Sequence, residues 1–133
     1  MYRVVKKLHF SYGHRLLGYQ GKCAHPHGHN AEVELELEGD SLDAVGMLID
    51  FGEISRRLMT FIDSNLDHLM LLHRDDPLSA LLEDLGEPVY KMDSNPTAEN
   101  IARLIYLKAR ELGLPVRTVR LWETPRACAE YRE

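Results

Sequence analysis

From Glu32 to Glu38 the chain alternates without a break. Glu32, Glu34, Glu36 and Glu38 fall on one side of an extended backbone, and Val33, Leu35 and Leu37 on the other. A helix would scatter both sets around its circumference, so the segment is a half-buried strand, closed by Gly39-Asp40. Its apolar side needs a layer to cover it. Its glutamate side must face water or a polar lumen, because four like charges in a row are poor material for a core.

The other patterns supply the cover. Residues 2–12 predict an earlier strand, with Tyr2, Val4, Leu8 and Phe10 on one side and Lys6 as a flaw. Asp50 with Glu53 resembles a capping box, ahead of Ile54, Leu58, Phe61 and Ile62 at helical spacing. A short helix is predicted from Asp76-Pro77, with Leu78, Leu81, Leu82 and Leu85 along one stripe. A longer helix starts near Asn95-Pro96-Thr97, buries Ile101, Leu104, Ile105 and Leu112, and is stopped by Gly113 and Pro115. Residues 116–123 and 127–131 then read as a hairpin turning at Thr124-Pro125-Arg126. Two strands, helices and two strands, β-β-α-α-β-β, define an α+β fold: a four-stranded antiparallel sheet with helices on one face.

With 133 residues and no Ser/Gly/Pro-rich linker or repeat, residues 1–133 form one domain. A net charge of −5 argues against nucleic acid or an anionic membrane as the main partner. Leu69–Leu72, the longest apolar run near the middle, is too short to cross a bilayer, and the N-terminus lacks a secretory h-region. Two cysteines make no disulfide framework, so the expected location is cytoplasmic.

Chemistry concentrates in the histidines. Four of the seven, His14, His25, His27 and His29, fall within sixteen residues. His27 and His29 stand at i and i+2, so both rings project from one side of an extended chain and can reach one ion. Gly28 between them lets the backbone approach that ion, and His14, just after the first strand, offers a third ligand. Three imidazoles leave a tetrahedral metal one open position, as catalytic zinc has. Adding Cys23 would instead close a structural Cys-His₃ site. His25 reads as a loop or supporting residue, His9 and His73 as solvated surface, and Cys128 as a small buried hydrophobe. On spacing alone Asp67 reads as a helix-end residue and Thr97 as an N-cap. Glu123 shares a strand face with Val119 and Leu121, which makes it a candidate buried carboxylate.

The run Phe10-Ser11-Tyr12-Gly13-His14-Arg15-Leu16, then Cys23 ahead of His27-Gly28-His29, resembles the 6-pyruvoyl-tetrahydropterin synthase family. So do Ile49-Asp50-Phe51, Leu66-Asp67-His68, Pro96-Thr97-Ala98-Glu99-Asn100 and Trp122-Glu123-Thr124, in the same order along nearly the whole chain. Three residues between the cysteine and His-Gly-His is similar to the family's bacterial 6-carboxy-tetrahydropterin synthase branch, of queuosine biosynthesis. The resemblance implies a tunnelling fold, in which trimers close their sheets into a barrel and two trimers stack into a homohexamer. It implies Zn²⁺ on His14, His27 and His29, with Cys23 as general base and Asp67-His68 as a proton relay entering from a neighbouring subunit. It also implies Glu123 as the carboxylate that grips a pterin, and a contact from Thr97. The expected substrate is 7,8-dihydroneopterin triphosphate. The expected reaction is carbon–carbon cleavage to 6-carboxy-5,6,7,8-tetrahydropterin, acetaldehyde and triphosphate. Its alternatives are a pyruvoyl-tetrahydropterin synthase, which eliminates triphosphate but keeps the side chain, and a non-catalytic zinc-stabilised module.

Overall fold

A computed structural model describes all 133 residues. Its elements are β1 (Tyr2–His14), β2 (His27–Gly39), α1 (Phe51–Asn65), β3 (Met70–His73), α2 (Pro77–Asp84), β4 (Val89–Met92), α3 (Ala98–Glu111), β5 (Val116–Thr124) and β6 (Ala127–Arg132). The long β1–β2 pair is the backbone of the sheet. Thirteen residues of each strand pair antiparallel, from Tyr2 opposite Gly39 to His14 opposite His27.

The sheet is larger than four strands and is not wholly antiparallel. Its order is β4-β3-β1-β2-β5-β6, with β3 parallel to both β1 and β4. The additional strands, β3 and β4, have four residues each. Such lengths carry no readable alternation, and parallel neighbours require a crossover, here through α1 and α2, that no local pattern announces.

One face of the sheet carries Leu8, Phe10, Ala31, Val33, Leu35, Leu37, Val119 and Leu121, all buried. Ile54, Leu58 and Ile62 of α1 and Ile101, Ala102, Ile105 and Ala109 of α3 belong to the same apolar cluster. By burial alone each fully enclosed Leu or Ile contributes about 1.5–3 kcal/mol. Asp50 caps α1 by accepting from the Gly52 amide, but Glu53 does not reach back to complete a capping box; it pairs with Arg56 and Arg57 instead. Asp76 caps α2, which departs from expectation: Ser79 is its buried residue, while Leu81 and Leu85 of the predicted stripe are exposed. The α3 stop is as predicted, with Gly113 at φ +80, a backbone conformation that glycine adopts without a Cβ penalty.

The glutamate face of β2 is a ladder of ion pairs. Arg120 of β5 bonds Glu34 at 2.8 Å, Glu36 at 3.2 Å and Glu130 at 2.7 Å. Arg3 bonds Glu36 and Glu38, and Lys7 reaches Glu32. Glu36 is itself buried, which these cations make tolerable. No helix is long and apolar enough to cross a membrane.

Candidate metal centre and active site

The histidines extend the apolar face. Tyr12 and His14 follow Leu8 and Phe10 along β1, and His27 and His29 precede Ala31 and Val33 along β2, with His14 opposite His27 and Tyr12 opposite His29. Where the helices stop covering this face, its side chains change from aliphatic to imidazole. The candidate ligand atoms of His14, His27 and His29 all lie within 4.8 Å of one another, and Cys23 is not in that group.

Hydrogen bonds fix the ring tautomers. His14 Nδ1–H donates to the Pro96 carbonyl at 2.6 Å, and His27 Nδ1–H to the His25 carbonyl at 2.7 Å. With Nδ1 engaged in each ring, the two Nε2 atoms are left to face each other at 2.9 Å. Two nitrogens at that distance need a shared proton or a metal ion between them. His29 Nε2 is buried with no hydrogen-bond partner. Burial pushes His14 below the ordinary imidazole pKa despite the Pro96 carbonyl and Glu123, which keeps its lone pair available at neutral pH. Three imidazoles with ring nitrogens this close are a donor set that suits a divalent zinc-type ion, with one position left over.

Gly28 also serves the strand pairing: a Cβ there would lie 3.0 Å from the Tyr12 carbonyl, so the glycine lets β1 and β2 approach.

Glu123 is half-buried beside the triad, 3.9 Å from His14 Nε2 and 3.8 Å from His29 Nε2. The Tyr12 hydroxyl donates to its Oε1 at 2.8 Å. Desolvation first, then the charge and hydrogen bond of Glu123, push the Tyr12 phenol far up, so it remains a donor. Tyr12 has no role in a reading of the sequence, because the contact joins residues 111 apart.

Cys23 sits in a single 3₁₀ turn, Lys22–Ala24, in the connection from β1 to β2. With His14, Tyr19, Thr97, Glu123 and Ala129 it lines a cavity of about 360 Å³. Thr97 caps α3 by accepting from the Asn100 amide, so its N-cap role is real and it also borders the site. Cys128 is exposed on β6, not buried. His9 is exposed as expected, whereas His73 is half-buried and accepts from the Asp75 amide.

Asp67 and His68 touch each other. His68 Nδ1–H donates to Asp67 Oδ2 at 2.9 Å, while Asp67 Oδ1 accepts from the Ser11 amide. Burial opposes ionisation of Asp67, but the Ser11 amide and His68 outweigh it and hold the carboxyl below its usual range. His68 is 80% exposed and has φ 60, the left-handed region. It borders a second cavity of about 640 Å³ with His27 and His29, whereas Cys23, Thr97 and Glu123 line only the first. Within one chain, then, the structure joins His14, His27, His29, Cys23, Thr97 and Glu123, and leaves Asp67 and His68 apart from the thiol.

The 6-pyruvoyl tetrahydropterin synthase family model matches residues 3–133, and the chain belongs to that family. Among its relatives is the 6-carboxy-5,6,7,8-tetrahydropterin synthase of Rickettsia felis, 40% identical over 77% of this chain and 75% of its own length. The enzymes of the same name from Rickettsia conorii (35% identical, 98% and 99% covered) and Haemophilus influenzae (30% identical, 100% of both) match from end to end. An uncharacterized Wolinella succinogenes protein has the same fold at TM-score 0.77, with 27% identity over 99% of this chain and 98% of its own. The 6-pyruvoyl tetrahydropterin synthase of Caenorhabditis elegans, at TM-score 0.73 and 22% identity, covers 99% of this chain and 95% of that one, and shares the fold.

Proposed function

We propose that this chain is a zinc-dependent 6-carboxy-5,6,7,8-tetrahydropterin synthase, converting 7,8-dihydroneopterin triphosphate to 6-carboxy-5,6,7,8-tetrahydropterin, acetaldehyde and triphosphate on the route to queuosine. The observation that carries this reading is the convergence of His14, His27 and His29, with two Nε2 atoms 2.9 Å apart, beside a cavity lined by Cys23, Thr97 and Glu123. Relatives of that name, 30% to 40% identical, support the choice of reaction.

His14, His27 and His29 would hold the zinc. When bound, the ion acts as a Lewis acid that acidifies a substrate hydroxyl and stabilises negative charge on oxygen. The residues of the chain divide the remaining work. Cys23 Sγ takes a proton from the substrate side chain. Glu123 grips the pyrimidine N–H and exocyclic amine of the pterin, a two-pronged donor that suits a carboxylate. Tyr12 restrains Glu123 through Oε1. The Thr97 hydroxyl borders the pterin site. Asp67 holds His68 Nδ1–H, leaving His68 Nε2 to give or receive a proton.

Because Cys23 and His68 do not border one cavity within a chain, we assign the relay to a neighbouring subunit in a homohexamer built as a dimer of trimers. The exposed Leu81 and Leu85, and the unpaired outer edges of β4 and β6, support an assembly that covers them. Both cysteines are free, in keeping with a cytoplasmic location.

A closed Cys-His₃ structural site is disfavoured, because Cys23 lies outside the triad's ligand group. Mass spectrometry after incubation with 7,8-dihydroneopterin triphosphate tests the reaction. Carboxy product with acetaldehyde is the expected result. A product that keeps the three-carbon side chain would make the chain a pyruvoyl-tetrahydropterin synthase instead.

A further inference from the structure

Residues 15–26, which join β1 to β2 and carry Cys23, contain no buried residue. Apolar packing therefore contributes little to holding this connection, and polar contacts carry more of its order. At its start, Arg15 forms a bidentate ion pair with the fully buried Asp76 carboxylate. Further on, one side chain from beyond β2 bonds to its backbone: Asn95. The Leu17 amide donates to Asn95 Oδ1 at 2.8 Å, and Asn95 Nδ2 donates to the Leu17 carbonyl at 2.9 Å. A primary amide that accepts from and donates to one residue copies the pairing of a neighbouring strand. The next residue back continues the chain of contacts, since the Leu16 amide donates to the Cys23 carbonyl at 2.9 Å.

Asn95 is itself fixed. Its carbonyl accepts from the Thr97 amide at 2.8 Å and from Asn100 Nδ2 at 2.9 Å, so it is bound to the capped start of α3. Pro96, the next residue, supplies the carbonyl that orients His14. One short segment thus sets both the ring of a candidate metal ligand and, through Leu17 and Leu16, the backbone of Cys23.

We propose that Asn95 is a positioning residue, fixing the thiol of Cys23 relative to His14 through its two bonds to Leu17. The proposal rests on the proton-transfer role given to Cys23 above. Proton transfer is sensitive to displacements of about an ångström, whereas His14, His27, His29 and Glu123 stand on β1, β2 and β5, to which Leu17 makes no hydrogen bond.

The experiment compares the zinc-loaded wild type with Asn95→Ala, Asn95→Asp, Cys23→Ala and the Asn95→Ala/Cys23→Ala double variant. It measures kcat, KM, zinc per chain and the rate of Cys23 alkylation by iodoacetamide, followed by peptide mass spectrometry. Asn95→Ala should lower kcat by about 10- to 100-fold, leave KM and zinc within about twofold, and change the alkylation rate severalfold. Asn95→Asp keeps the acceptor for the Leu17 amide but loses the donor, so its kcat should fall between wild type and Asn95→Ala. In the Cys23→Ala background, Asn95→Ala should cost nothing further, because the residue it positions is gone. Unchanged kcat and alkylation in Asn95→Ala would overturn the proposal, as would an equal loss with and without Cys23, or a loss that follows zinc content. If Asn95→Ala does not fold, Asn95→Asp with wild-type kcat overturns it in the same way. Full turnover by Cys23→Ala alone would defeat the underlying role of the thiol, and the alkylation rate then reports separately whether Asn95 holds the loop.

Discussion

The two faces of β2 both gather like groups, and they resolve the crowding in opposite ways. On one face Glu34 and Glu36 would repel, but Arg120 lies between them and Arg3 beside them, so the charges are balanced inside the chain. On the other, at the strand's beginning, His14 and His27 bring two ring nitrogens to 2.9 Å and His29 Nε2 has no hydrogen-bond partner, with no Lys or Arg of the chain beside them. A polar cluster whose demands are met internally is architecture. One whose demands are left open can hold an ion that the chain does not supply. Charge density alone would rank the glutamate face first; the unmet valence ranks the histidines first.

That contrast breaks most visibly at the histidines. Replacing His14, His27 or His29 with Ala should remove zinc, read by elemental analysis, and reduce turnover to background. Stoichiometric zinc in all three variants would place the ion elsewhere. Cys23→Ala should sharpen the distinction between holding the metal and using it: turnover falls by about 10²–10⁴ while zinc stays bound. Mixed with His68→Ala subunits after reversible dissociation, it should regain activity at about a quarter of sites if subunits exchange freely. No recovery, in oligomers shown to be mixed by native mass spectrometry, would return both groups to one chain. Glu123→Ala should weaken pterin binding by about 2 kcal/mol, roughly 30-fold in Kd by fluorescence titration, with zinc unchanged. On the balanced face, Arg120→Ala should cost about 2 kcal/mol of stability, visible as a lower Tm, and leave kcat unaltered. Zinc loss in that variant would erase the separation between the faces.

The sequence made the like groups on both faces plain and concealed the groups they meet. Strict alternation disclosed β2, and the His27-Gly28-His29 spacing disclosed two ligands, because both are local patterns. The cations that neutralise the glutamates were hidden, since Arg120 meets Glu34 across 86 residues of chain. Tyr12 against Glu123 and Asn95 against Leu17 were hidden for the same reason. The strands β3 and β4 were missed because four residues hold only two alternations. Cys128 was misjudged because burial on a terminal edge strand depends on what lies beyond the edge, which strand spacing does not encode.

His68 carries a different consequence. A side chain bearing a Cβ is held at φ 60, where glycine would rest with less strain. His68→Gly should therefore raise the unfolding free energy slightly, by up to about 1 kcal/mol, while removing the exposed imidazole. Selection for thermal resistance alone would favour that exchange, at the expense of the proton relay proposed for His68. In a library screened first for melting temperature and then for turnover, position 68 should be where the two rankings disagree most.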